Sequence, residues 1–395
     1  MTTSRKLLPV HKRFNIAFSH GEGAHLFSEG KKYLDLGAGI AVNALGHCHP
    51  KMVEAITEQA KKLWHVSNIY NSNELNAYAD NLVKHTHFAD YVFFCNSGAE
   101  SIECAIKMIR RHFFVKGTPE KNRIITFTGA FHGRTIATIS AAGKKKYIEG
   151  FEPILDGFDN VEFGDIEAVK KAITAHTAGI LIEPIQGEEG IRVCDKKFLQ
   201  GLRKLADEND LLLAFDEVQC GMGRTGHLHA YEYYSVKPDI ISIAKAIAGG
   251  FPMGACLATK DAASGMTVGV HGTTYGGNPL AMAVASSVLN VMLEKDFFAN
   301  VRKTAAELKS VLEKIKAQHS DIIDEIRGVG LMLGIKINDK IEHLKVVEEF
   351  ISNGLLTIPA GNNVIRIIPP LIINSEHIKE AKEKILISLK SINND

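Results

Sequence analysis

The sequence is short of paired cysteines, of long apolar runs and of net charge, and each shortage removes a class of function. Its six cysteines (Cys48, Cys95, Cys104, Cys194, Cys220 and Cys256) are scattered through 395 residues and form no C-x-x-C pair. Zinc ribbons, redox motifs and disulfide frameworks all need tighter spacing. No metal site is expected, therefore, and a reducing, cytoplasmic compartment fits best. No run of 18 apolar residues occurs, so no transmembrane helix and no membrane partner are expected. The first twenty residues lack the apolar stretch of a secretory signal. They carry Arg5, Lys6, Lys12 and Arg13 with no acid before Glu22, which reads as a short basic tail rather than a transit segment. Lys and Arg number 46 against 45 Asp and Glu, so no global field exists to hold a polyanion, and nucleic acid is not an expected partner. Linkers rich in Pro or Ser, low-complexity tracts and repeats are missing too. The borders of the two to three domains expected from this length, at ~150 residues each, are thus unmarked.

What is present is an ordinary folding composition. With 45% hydrophobic and 23% charged residues the chain is not disordered, and at this size it can bury ~70% of its surface without a disulfide or a structural metal. Short apolar runs at 91–96 (YVFFCN), 123–128 (RIITFT), 179–185 (GILIEPI), 211–218 (LLLAFDEV), 240–244 and 255–259 alternate with helical patterns such as 99–113 and 198–209. The runs are continuous rather than alternating, as in strands covered by helices on both faces, so an α/β fold with a mainly parallel sheet is expected. Further on, Val301, Ala305, Leu308, Leu312 and Ile315 step by four and three along one helical face. After Arg327-Gly328-Val329-Gly330 come short strands, a Pro369-Pro370 turn and a final helix from about Ser375, which together read as a smaller α+β lobe. The glycine-rich opening, with Gly21, Gly23, Gly30, Gly37 and Gly39, reads as turns and short strands whose partner periodicity does not reveal.

Ligands in open α/β sheets bind beyond the carboxyl ends of the strands, and four such ends here carry unusual residues. The first runs into Ser97-Gly98-Ala99-Glu100 and a helix, where small residues and a helix N-terminus suit an anion; the same residues also read as an ordinary N-cap, and the Walker G-K-[ST] ending is missing. The second ends in Phe131-His132-Gly133-Arg134, an aromatic, an imidazole and a guanidinium suited to a flat ligand with a carboxylate. The third leads into Asp216-Glu217-Val218-Gln219, where a strand-borne carboxylate needs a cation or hydrogen bonds. Just beyond it, Gly221-Met222-Gly223-Arg224-Thr225-Gly226 satisfies the dinucleotide pattern but lacks a continuing amphipathic helix. The fourth places Lys245 among apolar neighbours. Burial there lowers an amine's pKa and frees it for carbonyl chemistry, whereas snorkelling to solvent is the equal alternative. An anion cup, an aromatic face, a buried acid and a desolvated lysine are what pyridoxal 5'-phosphate requires of a protein.

The blocks GIAVNALGHCHP (39–50), LWHVSNIY (63–70), NSGAE (96–100), AFHGRT (130–135), EPIQGE (183–188), FDEVQCGMGRTG (215–226), AKAIAGGFP (244–252), HGTTYGGNP (271–279) and RIIPPL (366–371) extend this reading. In their order and spacing the chain resembles the class III (ornithine-type) aminotransferases from about residue 10 to about 390. The resemblance absorbs the G-M-G-R-T-G segment, and a nicotinamide cofactor falls away. It implies the aspartate aminotransferase-like fold type I, with an N-terminal segment (1–60) packing with the small domain, a large cofactor domain (61–290) and a small C-terminal domain (291–395).

It implies roles as well. Lys245 becomes the lysine that binds the cofactor aldehyde and shuttles the proton. Asp216 pairs with the pyridine nitrogen, Gln219 lies near the ring hydroxyl and Phe131 stacks on the ring. Gly98 and Ala99 offer N–H groups to the phosphate, and Thr274 reaches the phosphate of a partner subunit in a homodimer with shared sites. Arg134 binds the α-carboxylate of N-acetylornithine or the side-chain carboxylate of glutamate, Arg366 binds the α-carboxylate of glutamate, and Glu188 pairs with Arg366 when the δ-amine substrate is bound. Four positions depart from the usual pattern: His11 in place of a Tyr, Ala99 of a Thr, Glu189 of a Gly or Ala, and Thr273 of a Ser beside the substrate.

The implied reaction is transamination of N-acetyl-L-ornithine with 2-oxoglutarate, a step of arginine biosynthesis. The alternatives on the same scaffold are ornithine, succinylornithine, succinyldiaminopimelate or 4-aminobutyrate as donor, or an aminomutase that needs no 2-oxoglutarate. A non-catalytic scaffold protein is a further alternative that an intact Lys245, Asp216, Phe131 and Arg366 argue against.

Overall fold

A sheet of seven strands forms the centre of the computed structural model, which describes residues 6–394; Arg5 lies outside the described residues. The strand order is Tyr91–Cys95, Gly254–Ala258, Ile240–Ile243, Leu212–Asp216, Thr177–Ile182, Arg123–Phe127, Phe158–Val161. Gly254–Ala258 runs antiparallel to both its neighbours, and the remaining pairings are parallel. Thr177–Ile182, Leu212–Asp216 and Ile240–Ile243 are buried along their whole length, which explains their unbroken apolar character. Each expected apolar run is a strand to within a few residues. Phe158–Val161 (FDNV) is an additional one at the edge of the sheet, half solvated and too polar to stand out.

Helices cover both faces. Gly98–Val115 starts where Ser97 caps it, the Ser97 hydroxyl accepting the Glu100 N–H at 3.3 Å while the Glu100 carboxylate accepts the Asn96 N–H at 2.7 Å. This reciprocal arrangement fixes the start of the helix next to the end of Tyr91–Cys95. The Lys196–Glu208 helix begins at Asp195, whose carboxylate accepts the Lys197 N–H at 2.7 Å.

Two smaller four-stranded sheets are built from the two ends of the described chain. Ile323–Val329, Met332–Ile337, Val364–Ile367 and Ile358–Ala360 form an antiparallel sheet. The strand thus includes Arg327 to Val329, the stretch read from sequence as preceding the strands; Gly328, at φ 117°, packs where a Cβ would strike the Met332 carbonyl, so the glycine serves pairing rather than a turn. The opening strands His20–Glu22, His25–Ser28 and Lys31–Asp35 find their partner in Leu355–Leu356, which pairs in parallel with Leu34 and Asp35. His25 Nε2 meets Glu380 Oε2 at 2.9 Å across the same junction. On Phe297–Gln318 the buried residues are Val301, Ala305, Leu308, Leu312 and Ile315, the face expected from spacing.

Leu308 is fully enclosed on that face. Leu308→Ala is expected to destabilise the fold by about 2–5 kcal/mol through lost burial and a residual cavity, seen as a lowered denaturation midpoint; an unchanged midpoint would contradict the packing.

Candidate active site

Five of the parallel strands send their carboxyl ends to one place. Asn96 to Ala99 follow Tyr91–Cys95, Phe131 to Gly133 follow Arg123–Phe127, and Glu183 follows Thr177–Ile182. Asp216 ends its strand with Val218 and Gln219 behind it, and Ala244 and Lys245 follow Ile240–Ile243. The antiparallel strand contributes the segment just before its start, Gly250 to Met253. Together with Val42 these residues enclose a cavity of about 290 Å³, near the lower size of small-molecule pockets.

Lys245 stands at the abrupt exit of its strand. Its φ of 50° lies in the left-handed region, which costs a non-glycine residue roughly 1–2 kcal/mol, and it begins the short 3₁₀ turn Lys245–Ala248. The turn aims the side chain into the cavity instead of along the sheet. Burial lowers its amine to about 8 from the usual 10.5, against the pull of the Glu188 carboxylate.

Asp216 is 3% exposed, and its charge is met by two donors. His132 Nδ1 lies 2.7 Å from Oδ2, and the Val218 N–H reaches Oδ1 at 3.0 Å. The partner foreseen as positive is thus an imidazole. His132 Nε2 is buried without a hydrogen-bond partner, so the ring is held through Asp216 alone.

Glu183 is a second buried acid in the wall. Burial, then the neighbouring Asp216, push it well above the usual carboxylate range, with the Phe131 N–H at 2.9 Å acting the other way. Its hydrogen bond fixes the backbone that carries the Phe131 ring. Sequence reasoning missed this role, although an acid closing an apolar strand was the signal that singled out Asp216. His132 had been noticed without a partner.

The anion-binding end is built by the start of Gly98–Val115, where the first N–H groups of a helix lack intrahelical acceptors. A Cβ on Gly98 would come within 2.7 Å of Val218 Cγ1, and one on Gly133 within 2.7 Å of the Ala99 Cβ. Only glycine lets these three segments converge.

The two arginines differ. Arg366 is buried, and its Nη1 reaches Glu188 Oε1 at 2.5 Å and Gln219 Oε1 at 3.2 Å, while Nη2 reaches Glu188 Oε2 at 3.3 Å and the Pro359 carbonyl at 3.1 Å. Burial opposes ionisation of Glu188, but the Arg366 guanidinium outweighs it and holds the carboxyl below its usual range. The pair borders the cavity through Gln219. Arg134 is exposed and lies over the Tyr147 ring at 4.1 Å and the Phe131 ring at 5.4 Å.

Of the residues singled out in the sequence, Gly98, Ala99, Phe131, Asp216, Gln219 and Lys245 line the cavity. Glu188, Arg366 and Arg134 flank it. Thr273 stands one step back, its hydroxyl accepting the Gly276 N–H at 3.1 Å and lying 3.4 Å from Asn96 Nδ2. Thr274 is exposed and is not among the residues lining the cavity. His11 is exposed in the N-terminal stretch. Among the described residues no cluster of His, Cys, Asp and Glu is arranged to hold a metal.

A partly enclosed amine, a hydrogen-bonded carboxylate, an aromatic face and a helix N-terminus around a slot of this size match the aldehyde, pyridine nitrogen, ring and phosphate of pyridoxal phosphate. The residues present fit that group. Acylation of Lys245 in cofactor-stripped protein, followed by peptide mass mapping, is expected to reach half its limiting rate near pH 8, in line with an amine lowered to about 8; a midpoint at the ordinary lysine value would contradict the burial.

Comparison with known proteins adds a family. The model of the family described as Aminotransferase class-III matches residues 9–389. The chain is 55% identical over 387 residues to a protein from Agrobacterium fabrum named acetylornithine aminotransferase, covering 98% of this chain and 96% of that one. Among solved structures it is similar to an N-acetylornithine aminotransferase from Stenotrophomonas maltophilia, with TM-score 0.85 and 37% identity over 96% of this chain and 97% of that one. An ornithine aminotransferase from Toxoplasma gondii, whose structure shows partial occupancy of PLP at the active site, superposes with TM-score 0.95 at 30% identity, over 99% of this chain and 93% of that one.

Proposed function

Because this chain belongs to the class III aminotransferases, we propose that it transfers the δ-amino group of N-acetyl-L-ornithine to 2-oxoglutarate, with pyridoxal 5'-phosphate as cofactor, in the biosynthesis of arginine. The donor rests on the 55% identity with the A. fabrum protein over nearly the whole of both chains. The observation that carries the chemistry is the meeting of Lys245, Asp216 and the helix start at Gly98 around one cavity.

Pyridoxal phosphate, when bound, supplies a carbonyl that accepts an amino group and a ring that withdraws electrons from the adjoining carbon. The chain's own residues do the rest. Asp216, held by His132 and the Val218 N–H, would pair with the pyridine nitrogen and, as a carboxylate, would favour its protonated form. Phe131 would cover the ring face, Gln219 would lie near its hydroxyl, and the N–H groups of Gly98 and Ala99 would hold the phosphate. Lys245 would hold the cofactor through its amine, and its Nζ, when free, is the base placed to take the proton from the donor's δ-carbon. With a pKa of about 8, about a tenth of the free amine is neutral at pH 7, enough for a general base that must also return its proton.

Two carboxylate receptors let one site serve an ω-amine and an α-amino acid in turn. Arg134 takes the carboxylate at the far end of either substrate. Arg366 would take the α-carboxylate of glutamate and be closed by Glu188 while the δ-amine is present, a role that the Arg366–Glu188 pair supports. Arginine suits both sites because its planar fork meets a carboxylate with two hydrogen bonds. Thr273 adds a hydroxyl beside the substrate. Thr274, exposed at the surface, reaches the phosphate of a second copy in a homodimer with shared sites. The working division is an N-terminal segment to residue 60 associated with a small domain from 291, and a large cofactor domain between, in the cytoplasm.

Purified protein with 2-oxoglutarate and a panel of donors tests this reading. N-acetylornithine is expected to give the highest kcat/KM, and better turnover of ornithine or 4-aminobutyrate would reassign the donor. Lys245→Ala is expected to abolish turnover. Arg366→Met is expected to raise the KM for glutamate in the reverse reaction at least about tenfold, since a charged hydrogen bond is worth ~1.5–3 kcal/mol, and to leave the KM for N-acetylornithine within about twofold.

A further inference from the structure

Glu189, a charged residue where the family resemblance leads one to expect Gly or Ala, holds together three segments of the chain. Its carboxylate forms an ion pair with Lys144, the pair being largely shielded, at 18% and 31% side-chain exposure. The Asn362 side-chain amide donates to the Glu189 carbonyl at 3.0 Å and to Oε1 at 3.2 Å, and the neighbouring Gly361 N–H reaches the Glu188 carbonyl at 2.8 Å. The Glu189 stem runs against Gly129, where a Cβ would lie 2.9 Å from Cγ. One side chain therefore touches the loop leading to Phe131, the loop leading to Arg366 and the segment around residue 144.

The last of these bears on Arg134. Lys144 opens the single turn Lys145–Ile148, and Tyr147 on that turn meets the Arg134 guanidinium face on at 4.1 Å and the Phe131 ring edge on at 5.8 Å. Lys144 Nζ itself lies 5.6 Å from the Tyr147 ring centre. Arg134 is otherwise exposed, and an arginine in water spreads over many rotamers. The stacked tyrosine restricts it, and the tyrosine is placed by a turn that the Glu189 carboxylate ties down.

We propose that the Lys144–Glu189 pair is a latch on the substrate mouth: it holds Tyr147 beneath Arg134 and so sets affinity for carboxylate-bearing substrates without touching them. Lys144, Tyr147 and Glu189 are positioning residues for the amino-acid pair this enzyme accepts. The inference rests on the assignment of Arg134 as a carboxylate receptor. It requires no contact between Glu189 and the cofactor, and the chemical step at Lys245 proceeds at the same rate once substrate is seated.

The test uses the holoenzyme and the variants Lys144→Met, Glu189→Gln, Lys144→Arg, Arg134→Ala and Arg134→Ala/Lys144→Met. Lys144→Met and Glu189→Gln are each expected to raise KM for N-acetylornithine and 2-oxoglutarate roughly two- to fivefold, the range of a partly exposed ion pair, with kcat within about twofold and unchanged visible absorbance of bound cofactor. Lys144→Arg is expected to restore KM. In Arg134→Ala the second substitution is expected to add nothing, since the latch acts through that arginine. Unchanged KM in Lys144→Met beside a raised KM in Arg134→Ala would overturn the latch alone, and unchanged KM in Arg134→Ala would overturn the receptor assignment beneath it. A further rise in the double variant, or a loss of bound cofactor and thermal stability in step with KM that Lys144→Arg does not repair, would reduce the pair to a structural tie.

Discussion

A carboxylate at the end of a buried strand must be neutralised, hydrogen-bonded or paired, and the site follows from how three adjacent acids meet that demand. Asp216 accepts from His132 and from the Val218 N–H. Glu183, just past the end of the neighbouring strand, is pushed well above the usual carboxylate range by burial and then by Asp216, and accepts the Phe131 N–H. Glu217 faces the opposite side of its strand, is pushed up to about 8 by burial, and accepts the N–H groups of Ala230 and Tyr231 at 2.6 and 2.8 Å. The cavity wall thus carries two acids, one hydrogen-bonded to an imidazole and a backbone N–H and the other shifted upward by burial.

The substrate half of the site depends on segments far apart in the chain. Glu188 and Arg366 are separated by 178 positions and meet because Val364–Ile367 lies in the antiparallel sheet of the second lobe. The junction has its own anchor. Arg224 is fully buried, donates to the carbonyls of Pro369 and Leu331, and is lowered to about 9 by burial. Pro369 is three residues beyond Arg366, so the G-M-G-R-T-G loop of the large sheet helps set where Arg366 stands. A segment that satisfies the dinucleotide pattern serves as a joint between the two sheets.

Much of this was legible in the residues, for a physical reason. A polar residue interrupting an apolar run is conspicuous because the run must be buried, and Asp216 and Lys245 were identified on that basis. Glu183 carried the same signal, but Pro184 and Ile185 follow it and blended it into a longer apparent strand, while the observed strand stops at Ile182. His132 could not be paired with Asp216 from spacing alone, because the contact joins the ends of two strands with Thr177–Ile182 between them, in a sheet whose strand order the sequence does not display. The same holds for the partner of the opening strands, a two-residue strand at Leu355–Leu356 too short to leave a pattern. Arg366 and Glu188 entered only through resemblance to a family. Periodicity finds faces and resemblance finds distant partners, but the hydrogen bonds that set protonation needed the fold.

The departures from the family pattern now divide by location. Ala99 lies in the helix start, where the backbone N–H is unaffected by the side chain. Thr273 keeps the hydroxyl, which the Gly276 N–H engages. Both changes leave the cavity's chemistry intact. Glu189 differs in kind, because a carboxylate replacing a small side chain brings a partner with it: Lys144 supplies the opposite charge and Asn362 the hydrogen bonds. The cost of losing one member is modest, because both charges keep some contact with water. These contacts lie outside the cavity lined by Lys245 and Asp216, so the charge that Glu189 introduces is balanced without disturbing that lining.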